Sequence, residues 1–118
     1  MGQRRIWPQQ VLAAYEATGL KPVRGEWFSD GCSCPLGALY LQARNLTAPC
    51  GEVACDDALK QADDWSCEVF GIVYTEGFFK GFDTIDKSPE THFCHEERLG
   101  FDDGRAAART RFPDEAAP

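Results

Sequence analysis

The cysteines and histidines are the residues of this chain whose types and spacing could do chemistry. The sequence holds six cysteines and two histidines, and five of these eight residues fall in a Cys-x-Cys pair and a His-x-Cys-His run. Zinc takes four tetrahedral ligands from these two residue types, and two clusters far apart in the chain could clamp a loop to the last helix. One hypothesis is therefore a zinc-binding module whose ligands are Cys32, Cys34, Cys94 and His95.

The spacing of these clusters leaves a second hypothesis open. Strong zinc signals are two Cys-x-x-Cys pairs, and this sequence has neither. Free cysteine often behaves as a small core hydrophobe. The even count also fits three disulfides, but nothing in the sequence signals secretion, and cytosolic thiols stay reduced. Buried or incidental thiols therefore stand beside bound zinc as the alternative.

Cys34 has a further chemical interpretation because it directly precedes Pro35. This position predicts a cysteine at a helix N-terminus, where the dipole lowers a thiol pKa and favours the reactive thiolate. With Cys32 two residues away, a further hypothesis is a redox pair or a nucleophile at Cys34. A thiol enzyme also needs a base, and the sequence offers two histidines for that role. The alternative is a cysteine that simply begins a helix.

Complete catalytic motifs are absent from the sequence. It contains no phosphate-binding glycine-rich loop, no nucleophile elbow and no His-Glu-x-x-His. This absence favours a binding or regulatory protein without catalytic activity, and the thiol enzyme built on Cys34 is the weaker alternative.

Acidic residues are concentrated in one part of the chain. Residues 52–103 hold 14 acids and four bases, whereas the other residues hold five acids and eight bases. Direct nucleic-acid binding is disfavoured because such a surface repels phosphates. One interpretation is a face that docks on a basic protein partner, and the other is a solvated surface that keeps the protein soluble. The candidate docking residues are Asp56, Asp57, Asp63 and Asp64.

Length and composition predict one globular domain. The chain has 118 residues, of which 43% are hydrophobic and 26% charged, with a net charge of −7. No apolar run approaches the roughly 20 residues that a membrane helix needs. We therefore expect no membrane association and a cytoplasmic location.

Residues that typically begin and end helices predict an all-α fold. We expect a single compact domain of about five helices with little or no sheet over residues 1–112, followed by a C-terminal tail, residues 113–118. Gly19 and Asn45 are the expected ends of the first two helices. The expected helix starts are Pro8, Cys34-Pro35, Asp56 or Asp57, Ser66, and Ser88-Pro89.

The pattern Gly-Phe-x-x-Gly occurs twice in the sequence, at residues 77–81 and 100–104. Glycine inside a helix costs about 1 kcal/mol relative to alanine, so four of them at i, i+4 spacing need a reason. One reason is a close crossing of the last two helices, with Phe78, Phe79, Phe82 and Phe101 around it. The other is that Gly81 and Gly100 are helix ends.

Several of these segments together resemble small uncharacterised helical proteins of bacteria and their phages. The resemblance is carried by residues 18–22 (Thr-Gly-Leu-Lys-Pro), 36–39 (Leu-Gly-Ala-Leu), 77–83 and 103–107 (Asp-Gly-Arg-Ala-Ala). It implies a helical fold and no particular activity.

Overall fold

The fold consists of helices and one very small sheet. The computed structural model describes residues 5–23, 26–29, 31–83 and 94–111, and within them it contains five helices and three strands. The helices are α1 Pro8–Thr18, α2 Pro35–Arg44, α3 Glu52–Phe70, α4 Ile72–Asp83 and α5 His95–Arg111. The strands are β1 Lys21–Pro22, β2 Phe28–Ser29 and β3 Cys32–Ser33. The predicted, mostly helical fold is confirmed.

The first two helices begin and end where the sequence predicts. After α1, Gly19 adopts a left-handed φ of +72°, and its N–H donates to the Tyr15 carbonyl at 2.9 Å. Cys34 is the N-cap of α2, and Asn45, with a φ of 54°, closes that helix. These helix boundaries can be predicted from the sequence because each depends on the capping or backbone preference of a single residue.

The next two boundaries differ from the prediction. The expected starts at Asp56 or Asp57 and at Ser66 are wrong, because all three residues lie inside the 19-residue helix α3. Residues 52–70 contain neither glycine nor proline, so the helix continues once it has begun. It stops at Gly71, whose φ of +92° separates α3 from α4.

The sheet is a small addition to the predicted fold. Its strand order is β1-β3-β2, with β1 parallel and β2 antiparallel to β3. Gly31, with a φ of +70°, precedes β3. Each strand has two residues, which is too short for an alternating hydrophobic pattern to reveal.

The chain divides into two compact units, one formed by residues 9–66 and the other by residues 1–8 and 67–118. In the first unit Val11, Leu36, Leu41 and Ala62 are buried. Its Tyr15 hydroxyl donates to the Ser33 carbonyl at 2.8 Å and so ties α1 to β3. The single domain over residues 1–112 stays a prediction, and the Ser88 start and the tail lie outside the described residues.

In the second unit α4 and α5 meet backbone to backbone at four glycines. A Cβ at Gly77 would lie 2.1 Å from the Glu97 carbonyl oxygen, and one at Gly81 would lie 2.0 Å from that of Phe101. Gly100 and Gly104 approach α4 equally closely. The contacts advance in the same direction along both helices, which therefore run parallel. The predicted close crossing is confirmed, and the alternative of Gly81 and Gly100 as helix ends is wrong.

Three of the four expected phenylalanines are buried at this crossing, namely Phe78, Phe82 and Phe101, whereas Phe79 is only half-buried. The Phe78 and Phe82 rings stack with centroids 6.5 Å apart. Across the described ranges, no helix combines the length and apolar character needed to cross a bilayer.

Candidate docking surface

The four aspartates predicted for docking all lie exposed on α3. With 3.6 residues per turn, residues seven apart nearly coincide around the helix and stand about 10.5 Å apart along it. Asp56 and Asp63 therefore form one row, and Asp57 and Asp64 form a second row beside it. We call these four residues the acidic face.

Acidic side chains strongly outnumber basic ones on this part of α3. Residues 52–66 hold five acidic side chains and one basic side chain, Lys60, which lies between the two rows. All six are exposed to solvent. A field from carboxylates gathered on one face attracts cations and repels phosphates.

Exposed aliphatic side chains accompany the acidic face. Val53, on the first turn of α3, is 75% exposed, and Leu46, in the segment before α3, is 48% exposed. A single exposed aliphatic residue is ordinary on a protein surface. Here two of them belong to the same stretch of chain as the acidic face, so apolar contact is available near its charges.

One flank of α3 carries a groove of about 280 Å³. On α3 it is bordered by Asp57 of the acidic face and by Gln61. We call it the aliphatic groove because five of its nine lining residues are aliphatic, namely Leu41, Leu46, Pro49, Ala54 and Ala58; Tyr40 and Thr47 complete the lining.

Local sequence builds the walls of the aliphatic groove. Asn45 turns the chain out of α2, and the Leu46 N–H donates to the Leu41 carbonyl at 2.9 Å. The Tyr40 hydroxyl donates to the Gln61 Oε1 at 2.9 Å, which joins α2 to α3. The Tyr40 ring also packs edge-on against Trp65, with centroids 5.9 Å apart. The groove therefore has a wall held by a hydrogen bond and an aromatic pair.

The opposite flank of α3 carries a second groove, of about 390 Å³. Glu52, Cys55 and Asp56 border it on α3, and Phe28 and Ser29 of β2 form its other wall. Asp56 and Asp57 thus face different grooves although they are neighbours in sequence. The two rows of the acidic face consequently have different surroundings.

The predicted zinc ligands are divided between the two units of the chain. Cys32 is half-buried in β3 and Cys34 is buried, whereas Cys94 and His95 are exposed at the beginning of α5. Within the described ranges, no three histidine, cysteine or acidic side chains are grouped as metal ligands would be. The zinc site stays a prediction.

Cys34 does begin a helix, as predicted. Its Sγ accepts a hydrogen bond from the Gly37 N–H at 3.4 Å, and the residue is 1% exposed. A thiol in this position satisfies one of the free N–H groups of α2. The geometry supports the structural interpretation of Cys34, and the thiol-enzyme alternative stays a prediction.

A charged network in the second unit was missed by the sequence analysis. The buried Asp103 carboxylate accepts two hydrogen bonds from the Arg5 guanidinium, at 2.7 and 3.1 Å, and one from the Tyr74 hydroxyl at 2.5 Å. The Tyr74 oxygen in turn accepts the Ile6 N–H at 2.8 Å. The network therefore fastens residues 5 and 6 to both α4 and α5.

The electrostatics of this network are those of a structural anchor. Burial, and secondarily the hydrogen bond to Asp103, raise the pKa of Tyr74. The hydrogen bond to Asp103 raises the pKa of Arg5. Asp103 could have been singled out from the sequence, because it lies on the same helical stripe as Gly100, Gly104 and Ala107, where a lone carboxylate needs partners.

The comparisons with known proteins bear on none of these surfaces. No family model matches the sequence, and neither the curated proteins nor the solved structures include a match to it. Function is therefore inferred from the geometry of the chain itself.

Proposed function

We propose that this is a non-enzymatic cytoplasmic protein that binds a basic protein partner through the acidic face of α3. The observation that carries the proposal is the placement of Asp56, Asp57, Asp63 and Asp64 in two exposed rows on one helix face. A surface that only maintained solubility would not require this grouping, nor the exposed aliphatic residues beside it.

The physical role of the acidic face is to steer and orient the partner. Complementary charge raises association rates by about 10- to 1,000-fold, and the gain falls with ionic strength. Charges are screened over about 8 Å at physiological ionic strength, a distance comparable to the spacing within each row. The partner's cations must therefore come within a few ångströms of the carboxylates.

Affinity capture with matched baits tests this proposal. The face variant replaces all four aspartates of the acidic face by asparagine. The control variant neutralises the same number of exposed acids on α1, α4 and α5, namely Glu16, Glu76, Glu96 and Asp102. Both variants carry the same net charge, so a difference between them reports position and not total charge.

The proposal predicts a set of basic proteins that wild type and the control variant retain and the face variant loses. Those proteins should elute from wild type as salt rises, with mass spectrometry as the readout. Equal recovery of the same proteins by the face and control variants would show that the acidic face is not the docking surface.

A further inference from the structure

We propose that the segment of the partner that docks here is a basic amphipathic helix whose aliphatic side chains enter the aliphatic groove while its lysines or arginines meet Asp57 and Asp64. This inference rests on the proposed function and names the chemistry of the partner. It assigns different roles to the two rows of the acidic face, which the proposed function treats alike.

The residues that line the aliphatic groove suit the aliphatic side chains of a partner. Leu46, Pro49 and Ala54 offer aliphatic contact, and half of the Leu46 side chain is left uncovered. One or two aliphatic side chains of a partner would cover this surface.

The acidic face holds four carboxylates against the single ammonium group of Lys60, so the docking segment is basic. Asp57 lines the groove directly, and Asp64 lies two turns further along the same side of α3. Each exposed carboxylate gains most when its counter-charge is held in place by neighbouring contacts. Aliphatic side chains of the partner that bind in the groove would hold its basic side chains beside Asp57 and Asp64. A docking segment therefore needs both apolar and basic residues.

The spacing of the carboxylates favours a helical segment. Asp57 and Asp64 repeat after seven residues, which is two helical turns. A second helix lying along α3 presents basic side chains at the same repeat, so both carboxylates are met at once. An extended peptide would cover the same distance of about 10.5 Å in roughly three residues, leaving few side chains for the groove between its charges.

The two grooves differ in the types of residue that line them. The second groove is lined by Ser29, Gly51, Glu52 and Asp56 together with Phe28 and Cys55, so fewer of its lining residues are aliphatic than in the aliphatic groove. Asp56 and Asp63 consequently serve as a control pair with the same residue type, helix and seven-residue spacing on the opposite side.

Three synthetic peptides of about 16 residues, long enough for an alanine-rich helix, test the proposal. The first has two lysines seven positions apart with two leucines on the same helical face between them. The second replaces both leucines by serine, and the third replaces both lysines by glutamine. Fluorescence anisotropy at low ionic strength measures binding of each labelled peptide to the full-length chain.

The proposal predicts that the first peptide binds and that the serine and glutamine peptides each bind about tenfold more weakly or worse. With the first peptide, D57K/D64K should weaken binding about tenfold, whereas D56K/D63K should change it about threefold or less. Leu46→Ser, which alters the groove without altering charge, should weaken the first peptide and leave the serine peptide unchanged. Circular dichroism of each variant verifies that the helices are retained.

The outcomes separate failure of this inference from failure of the proposed function. Equal binding of the leucine and serine peptides, or equal loss in the two double variants, would overturn the groove proposal while leaving an electrostatic acidic face intact. Binding that is indifferent to all four aspartates would overturn both. Absence of binding by the first peptide would overturn the groove proposal, and the capture experiment would then decide the proposed function independently.

Discussion

Adding one methyl group at Gly81 should destabilise the protein, although the same change stabilises most helices. A Cβ at this position would lie 2.0 Å from the Phe101 carbonyl oxygen, whereas ordinary contact begins at 3.4 Å. The overlap of about 1.4 Å falls on backbone, which cannot turn aside as a side chain can. The two helices must therefore separate.

The expected magnitude follows from opposing contributions. Overpacking costs about 1–3 kcal/mol, occasionally more, and even a gap of 0.5–1 Å forfeits a quarter to a half of the dispersion energy between facing atoms. Because four glycines make equivalent contacts, a wedge at one of them loosens all four. Replacing helical glycine by alanine returns about 1 kcal/mol. With the cost at the upper end of its range, about 3 kcal/mol, because all four contacts loosen, we expect a net loss of about 2 kcal/mol, or a fall in Tm of about 8 °C.

Denaturant and thermal unfolding followed by circular dichroism measure this change. Glu76→Ala is the matched control, because Glu76 is an exposed residue of the same helix, and it should stay within about 0.5 kcal/mol of wild type. A Gly81→Ala variant as stable as wild type, or more stable, would refute the close backbone packing of α4 and α5.

Two further predictions concern buried polar groups. The pKa of Tyr74 is raised above its ordinary value of 10.0, so above about pH 10 the unfolded chain loses this proton first. The free energy of unfolding should therefore fall as the pH rises above about 10, by up to about 1.4 kcal/mol per pH unit, and the Tyr74→Phe variant should lack this contribution. Urea titrations of both proteins at pH 9–11 measure the effect. Identical pH slopes for the two proteins would contradict the raised pKa of Tyr74. Cys34 should resist a thiol reagent until the protein unfolds, whereas the exposed Cys50 and Cys94 react in the native state. Peptide mapping that finds Cys34 labelled as fast as Cys50 would instead support accessible thiol chemistry.

The features that could be predicted from sequence are those decided locally. Gly19 and Asn45 end helices through their own left-handed backbones, and Cys34 begins one beside a proline. The close helix crossing was also predictable, because glycine pairs in helices are costly without a packing reason. In each case a few neighbouring residues carry the whole signal.

The features that were missed depend on distant partners or on competition between signals. Ser66 has the chemistry of a helix cap, yet it is buried within α3, and Gly71 ends that helix instead. Asp103 was counted only as one of the acids of residues 52–103; its helical stripe shows that the carboxylate needs a partner, but not that the partner is Arg5, 98 residues away in the sequence. The candidate docking surface was half predicted: the acidic residues were chosen from charge, whereas the grooves beside them depend on tertiary packing.

The central claim is that the acidic face of α3 receives a basic partner, and residue-resolved NMR tests it most directly. The full-length, ¹⁵N-labelled chain is titrated with the peptide that carries two lysines and two leucines. We predict that amide shifts concentrate on residues 46–64 and shrink as salt is added. Shifts concentrated on α5, or spread evenly over the chain, would contradict the claim.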